Sequence, residues 1–349
     1  MKASYVSSQA VTQALRYSMM RAQSELVKAQ TEASTSRVAD VGLALGVSTA
    51  RTVSLARDVA RLEAIADSNG LVSSRLSSTQ DALAQITGRA ETFRSTLTAA
   101  VSGDTSDTVL KADAKALMES LHSVMNSTFN GEYLFAGINT DVQPLADFND
   151  PASPARVAFD ASFVTHFGFP PTDAAASGIT AAQMDDFITN VVEPQFFGAD
   201  WNANWSSATD QTITSRIAIN ETAQTSVSAN ISGVRKLAMA AAIAMALPDT
   251  NISPEATESI VGHALSLTAE AVGEIAEQQA RMGIIEQRVK TATERMETQI
   301  DLFNGTIRDL EGVDPYEAAT RVSALMTQIE TSYSLTARIQ QLSLLRFLA

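Results

Sequence analysis

The chain has no cysteine in 349 residues, which excludes disulfides, zinc–thiolate sites and thiol nucleophiles. Aromatic residues are scarce, 6% against 45% hydrophobic overall. A chain that is apolar through alanine rather than through rings favours helices packed closely along their length over one thick core. Long apolar runs are missing too: the most apolar, 237–247, is eleven residues, where a bilayer-crossing helix needs about twenty. After Lys2 the sequence reads Ala3, Ser4, Tyr5, Val6, Ser7, Ser8, Gln9, which is no secretory h-region, so neither a cleaved signal nor a membrane insertion is expected. Basic residues are outnumbered 25 to 39, for a net charge of -14, and that excludes the clustered basic face a nucleic-acid partner requires.

Enzyme signatures are also lacking. No Gly-x-x-x-x-Gly-Lys phosphate loop and no Gly-x-Ser-x-Gly elbow occurs. His122, His166 and His263 are far apart and fall in no metal-ligand spacing. Asp185 and Asp186 adjoin, but neighbouring helical side chains point in different directions, so they read as a solvated face rather than a general acid and base. No catalytic, cofactor-binding or metal-binding residue is expected, and the chain reads as no enzyme.

What is present is periodicity. Val59, Leu62, Ala66, Asn69, Val72, Leu76, Thr79, Leu83, Ile86, Ala90, Phe93, Leu97 and Ala100 step in an almost unbroken alternation of three and four, the heptad spacing of a coiled-coil strand. Met282, Ile285, Val289, Ala292, Met296, Ile300, Phe303, Ile307 and Leu310 form a second seam more than 180 residues later. Neither stripe can be buried alone. The pattern predicts a mainly α-helical fold: an elongated, antiparallel, helical coiled-coil rod built from both chain ends, carrying a small, outward, β-containing insert.

Taken in order, 1–35 forms an amphipathic helix with Val11, Leu15, Met19, Ala22, Leu26 and Ala29 on one face, marginal unless something covers it. Gly42 and Gly46 mark a connector. The first long seam stops at Ser102 and Gly103, where glycine suits a left-handed turn. The next helix turns Leu110, Leu117, Leu121 and Val124 inward. Asn130 and Gly131 then turn the chain into the short apolar run Glu132 to Gly137. From about 138 to 210 most of the prolines and half of the aromatics gather, including Trp201 and Trp205, which implies a separate small domain with its own compact core. Tyr133 and Phe135 are placed to brace the rod against this insert.

Alternation at Ile213, Ser215, Ile217 and Ile219, then at 225–229, predicts a hairpin. A small-residue helix from about Ile231 to Leu247 ends at Pro248, and Ser253, Pro254, Glu255 start the next. After Gly312 to Pro315 the last helix shows Val322, Met326, Ile329, Tyr333, Leu335, Ile339, Leu342 and Leu345. A face that greasy needs another chain or the first helix to cover it. The expected parts are therefore terminal assembly helices at 1–45 and 311–349, frayed in the monomer, a helical rod domain at 46–137 and 211–310, and the insert at 138–210. Charge is uneven as well: +4 over residues 1–62 and -11 over 130–260, which keeps the middle segment solvated.

These ends resemble the flagellin superfamily, and within it the hook-associated branch that joins hook to filament. The resemblance rests on the N-terminal helix with its connector and on Asn130, Gly131, Glu132, Tyr133, Leu134, Phe135, Ala136, Gly137 followed by Pro144 and Leu145. Further matches are the helix start Asp314, Pro315, Tyr316, Glu317, Ala318 and the run Ala337 to Leu345. It implies a structural subunit of the extracellular bacterial flagellum, polymerising through its terminal helices. Leu15, Met19, Leu26, Ile329, Ile339, Leu342 and Leu345 would make the inner contact. The implied partners are copies of itself, neighbouring hook-associated and flagellin subunits, and a cytoplasmic export chaperone at the C-terminal region. Export would be type III, of an unfolded chain. Two other functions fit the same pattern: a filament flagellin, and a cytosolic coiled-coil scaffold.

Overall fold

A computed structural model describes residues 8–247 and 252–348; Pro248, expected to end a helix, lies outside them. The chain is mainly helical, with long helices from both ends and two small two-stranded sheets. It divides into two units, Met1–Ala64 with Met296–Ala349, and Ile65–Arg295.

In the first unit, α1 (Ser8–Thr35) and α10 (Pro315–Leu348) pack side by side. They run antiparallel: Glu32 Oε2 meets Arg321 at 3.2 Å, and nine residues earlier Gln23 Nε2 donates to the Tyr333 hydroxyl at 3.1 Å. Below the pair the two connecting segments are laced together. Val38 N–H donates to the Glu311 carbonyl at 2.9 Å, Val313 N–H to that of Ser36 at 3.1 Å, and Arg37 reaches Glu311 at 3.7 Å. The connector itself holds a short helix, α2 (Val41–Leu45), whose first turn is capped by the Asp40 side chain accepting from Leu43 N–H.

The second unit is a helical bundle. Its members are the greater part of α3 (Thr49–Val101), then α4 (Asp107–Met125), α8 (Ser232–Ala246) and the first forty-odd residues of α9 (Pro254–Glu311). The seam predicted on α3 is the covered one: Leu76, Leu83, Ile86, Ala90, Phe93 and Leu97 are essentially inaccessible. Opposite it on α9, Met282, Val289 and Ala292 are buried. The two helices are antiparallel, since Asn69 bonds Thr293 at 3.0 Å while Gln80 bonds the Gln279 carbonyl at 2.9 Å. The α3–α4 corner is a Schellman turn, with Asp104 N–H reaching back to the Ala99 carbonyl at 2.9 Å and Gly103 at φ +76°.

The helix α8 is enclosed on all sides through its middle: Gly233, Val234 and every residue from Leu237 to Ala244 are buried. That fits a sequence apolar on all sides. Its start lies so close to α9 that a Cβ on Gly233 would meet Ile275 Cγ1 at 2.9 Å.

Two hairpins sit on this bundle. β1 (Thr128–Phe129) and β2 (Glu132–Tyr133) pair through a two-residue turn, Asn130 and Gly131, both at positive φ (53° and 85°). That is the Asn-Gly turn whose twist suits a hairpin. β3 (Thr214–Ala218) and β4 (Glu221–Gln224) pair antiparallel with a bulge at Ile217, which turns Ile217 into the core.

Between the hairpins lie α5 (Pro154–Phe167), α6 (Ala181–Phe187) and α7 (Glu193–Phe197), with single π-helical turns at Ile188–Val192 and Trp201–Trp205. Their aromatic side chains join the same continuous core as α4 and α8. At its centre is a column of flat groups. Trp201 and Trp205 stack at 5.8 Å, and Trp205 and Phe148 at 4.8 Å. The guanidinium of Arg235 caps one end over Trp201 and that of Arg156 the other over Phe148, each 5.3 Å from the ring centre.

Candidate functional site

The stripe of α1 that the sequence marks is the covered one. Ala22 and Ala29 are buried, and Val11, Leu15, Met19 and Leu26 are half-buried. On α10 the covered positions are Ala318, Val322, Leu325, Ile329, Ser332 and Thr336, a strict alternation of four and three. Leu15, Met19, Leu26 and Ile329 therefore lie on the covered stripes of a helix pair within one chain. The side chains of Ile339, Leu342 and Leu345 lie outside the described residues.

Met326, Tyr333 and Leu335, which the sequence reading put on the same face, are instead 48–54% exposed. Ser332 and Thr336 hold the heptad frame in their place. The Thr336 hydroxyl is satisfied by the Ser332 carbonyl at 2.7 Å, so a small polar residue sits there without an unpaired donor. Each helix also keeps exposed apolar side chains: Tyr17, Met20 and Val27 form a stripe on α1, 62–70% exposed, and Met326 and Tyr333 stay exposed on α10.

In the second unit, Phe135 is fully buried and Tyr133 half-buried. The Phe135 carbonyl accepts from Ala229 N–H at 2.8 Å, and Tyr133 N–H donates to Thr140 at 2.8 Å. What fastens the β1–β2 hairpin to α3 is a residue that no motif or periodicity singles out. Arg75 forms an ion pair with Glu132 at 2.7 Å and donates to the Tyr133 carbonyl at 3.2 Å.

Asp185 and Asp186 are exposed as expected, yet both have partners on other elements. Asp185 accepts from the Ser259 hydroxyl and faces His263 Nε2 at 3.0 Å, tying α6 to α9. The Ser259 hydrogen bond, with help from His263 and against a smaller effect of burial, holds its carboxyl below the ordinary value. Asp186 lies 3.9 Å from His166. Among the described residues no cluster of three metal-ligating side chains occurs, and no helix is long and apolar enough to cross a membrane.

Helices paired from the two ends of the chain, with an insert between them, are the arrangement that two family models capture. The bacterial flagellin N-terminal helical region matches residues 6–140, and the bacterial flagellin C-terminal helical region matches residues 265–348. Together they span well over half of the sequence. The chain belongs to the flagellin superfamily. Its family is one of structural, non-enzymatic proteins of the extracellular bacterial flagellum.

This flagellin-family chain is also similar in fold to a solved protein described as a flagellar hook-associated protein from Vibrio parahaemolyticus. The TM-score is 0.51 at 11% identity, over 76% of this chain and 97% of the other. No curated protein matches the sequence.

Proposed function

We propose that this flagellin-family protein is a hook-associated subunit at the hook–filament junction, polymerising through its terminal helices. The observation that supports this most is the uncovered apolar stripe on α1, with Tyr17 at 70% and Met20 and Val27 at 62% exposure. A soluble chain that folds two long helices together and still leaves such a stripe in water has a surface suited to burial against neighbours. Leu15, Met19, Leu26 and Ile329, half-covered within the subunit, would be closed off completely by the next one. Ile339, Leu342 and Leu345 extend the same contact. The neighbours are copies of itself and adjoining hook-associated and flagellin subunits.

The Tyr133–Gly137 run, typical of the hook-associated branch, favours the junction over the filament. A filament flagellin is the second reading, because the two matching family regions are those of flagellin itself. Export as an unfolded chain, escorted by a cytoplasmic chaperone on the C-terminal region, completes the proposal, with the terminal helices ordering fully on assembly. The domain division at 1–45 with 311–349, 46–137 with 211–310, and 138–210 belongs to it too.

Electron microscopy of a deletion strain tests the assignment. The expected result is hooks without filaments, with unpolymerised flagellin in the medium, and immuno-gold label on the complemented strain confined to the filament base. Label along the whole filament would favour the second reading, and intact motility would sink both.

A further inference from the structure

A cleft of about 510 Å³ opens between the β3–β4 hairpin, the strand-like segment 226–231 and the face of α9 around residues 278–285. Its volume falls within the range of roughly 300–1,000 Å³ typical of small-ligand sites. Val227 and Met282, both buried, are part of its floor. Polar groups converge on its walls: Thr212, Gln224, Gln278 and Arg281 all line the cleft. None of these four side chains has a hydrogen bond or ion pair among the described residues.

The charge in the cleft is unbalanced. The Arg235 side chain is only 16% exposed, yet its nearest carboxylate, Asp210, is 3.9 Å away and 73% exposed. Its remaining bonds go to neutral carbonyls, the Nε to Asn230 at 2.8 Å and one terminal nitrogen to Phe196 at 3.4 Å. A largely buried cation with so weak a counter-charge favours an anion nearby. With Arg281 also in the lining and Asp210 as its acid, the cleft is positive by one charge in a protein that is negative by fourteen.

We infer that this cleft binds a saccharide carrying a single carboxylate, a sugar of the uronic-acid class. One excess positive charge matches a carboxylate monoanion, whereas Asp210 opposes the double charge of a phosphate. The row of hydroxyl and amide side chains supplies donors and acceptors for ring hydroxyls. A nucleotide base would need a free aromatic face to stack on, and Trp201, the aromatic at the cleft's edge, is fully buried beneath Arg235. Arg281 pairs with the carboxylate, while Gln278 and Thr212 read the hydroxyls.

Titration calorimetry of the chain with galacturonate, at low salt, tests the site. One saturable site is expected, with galactose at least about tenfold weaker, the equivalent of about 1.4 kcal/mol. Arg281→Gln, an exposed substitution, should weaken galacturonate by about tenfold and leave galactose unchanged; Gln278→Ala should weaken both by several-fold. Absence of galacturonate binding, equal binding of galactose, or an unaffected Arg281→Gln protein with native near-ultraviolet circular dichroism would each overturn the inference. Acetate binding as tightly as galacturonate would remove the sugar from it, and inorganic phosphate binding more tightly would remove the monoanion.

Discussion

Asn69 carries a perturbation whose size follows from the structure. It occupies a covered heptad position on α3, 1% exposed. Its amide nitrogen uses both protons, one to the Ile217 carbonyl at 2.9 Å and one to Thr293 Oγ1 at 3.0 Å. Ile217 is the bulged residue of β3, and the Thr293 hydroxyl proton is already given to the Val289 carbonyl at 3.0 Å. Asn69 therefore faces two acceptors. Asn69→Asp replaces the double donor by a carboxylate that repels both, so the carboxyl must stay protonated to be buried.

A rise of about 3 pH units, usual for a buried unpaired carboxyl, costs about 4 kcal/mol at about 1.36 kcal/mol per unit, and one lost hydrogen bond adds about 1 kcal/mol. Because the folded carboxyl titrates above the unfolded one, the unfolded chain releases the proton first and the variant loses stability as pH rises. The expected loss relative to the parent is about 5 kcal/mol at about pH 7.5, falling to about 1–2 kcal/mol at about pH 4. Asn69→Leu, which has no charge, should cost about 1–3 kcal/mol for the orphaned Ile217 carbonyl, equally at both values. Guanidinium unfolding followed by tryptophan emission measures this cleanly, since the chain's 2 tryptophans both lie buried in the same unit as Asn69. An Asp variant equally destabilised at both pH values, or by less than about 1 kcal/mol at neutral pH, would refute the reasoning.

Two further outcomes are expected. Gly233→Val should lower stability by about 2–3 kcal/mol in the same unfolding assay, because the first added carbon already meets Ile275 Cγ1 at 2.9 Å and the Ala271 carbonyl at 3.1 Å. Asp185 has a depressed carboxyl pKa, so its contribution is full above the ordinary value of 3.8 and is lost as pH falls through the lowered one. With Asp185 54% exposed, that contribution is below about 1 kcal/mol. Asp185→Asn should flatten the acid limb of a melting-temperature profile slightly and leave the neutral plateau within about 1 kcal/mol of the parent.

The long seams were legible because repetition over many turns outweighs any single residue type. Even Asn69 and Thr79, polar members of the first seam, are buried where the spacing puts them. The hairpin turn at Asn130 and Gly131 was legible for a local reason, two residues that tolerate positive φ. On α10 the reading failed: following apolar identity from Val322 led to Met326, Tyr333 and Leu335, while the true frame passes through Ser332 and Thr336. Small hydroxyl residues satisfied by their own helix are invisible to a search for grease.

The aromatic-rich segment announced a packed core but not its short helices and π-helical turns, which have too few residues to show a period. Arg75 and the cleft were hidden for another reason. The cleft takes Thr212, Gln224, Gln278 and Arg281 from separate stretches of chain, and no local pattern joins them before folding does.

The column of stacked rings bears on how this protein can be cut and grafted. Four of its five layers come from residues 148–205, but the fifth, Arg235, belongs to α8. A chimera that moved this chain's segment up to residue 210 into a relative would leave the guanidinium of Arg235 behind on the parent, with no indole beneath it. The donated piece would lose its lid. Transplants should carry their boundary past Arg235, and a swap made at the shorter limit should show brighter exposure of Trp201 to aqueous quenchers than the parent.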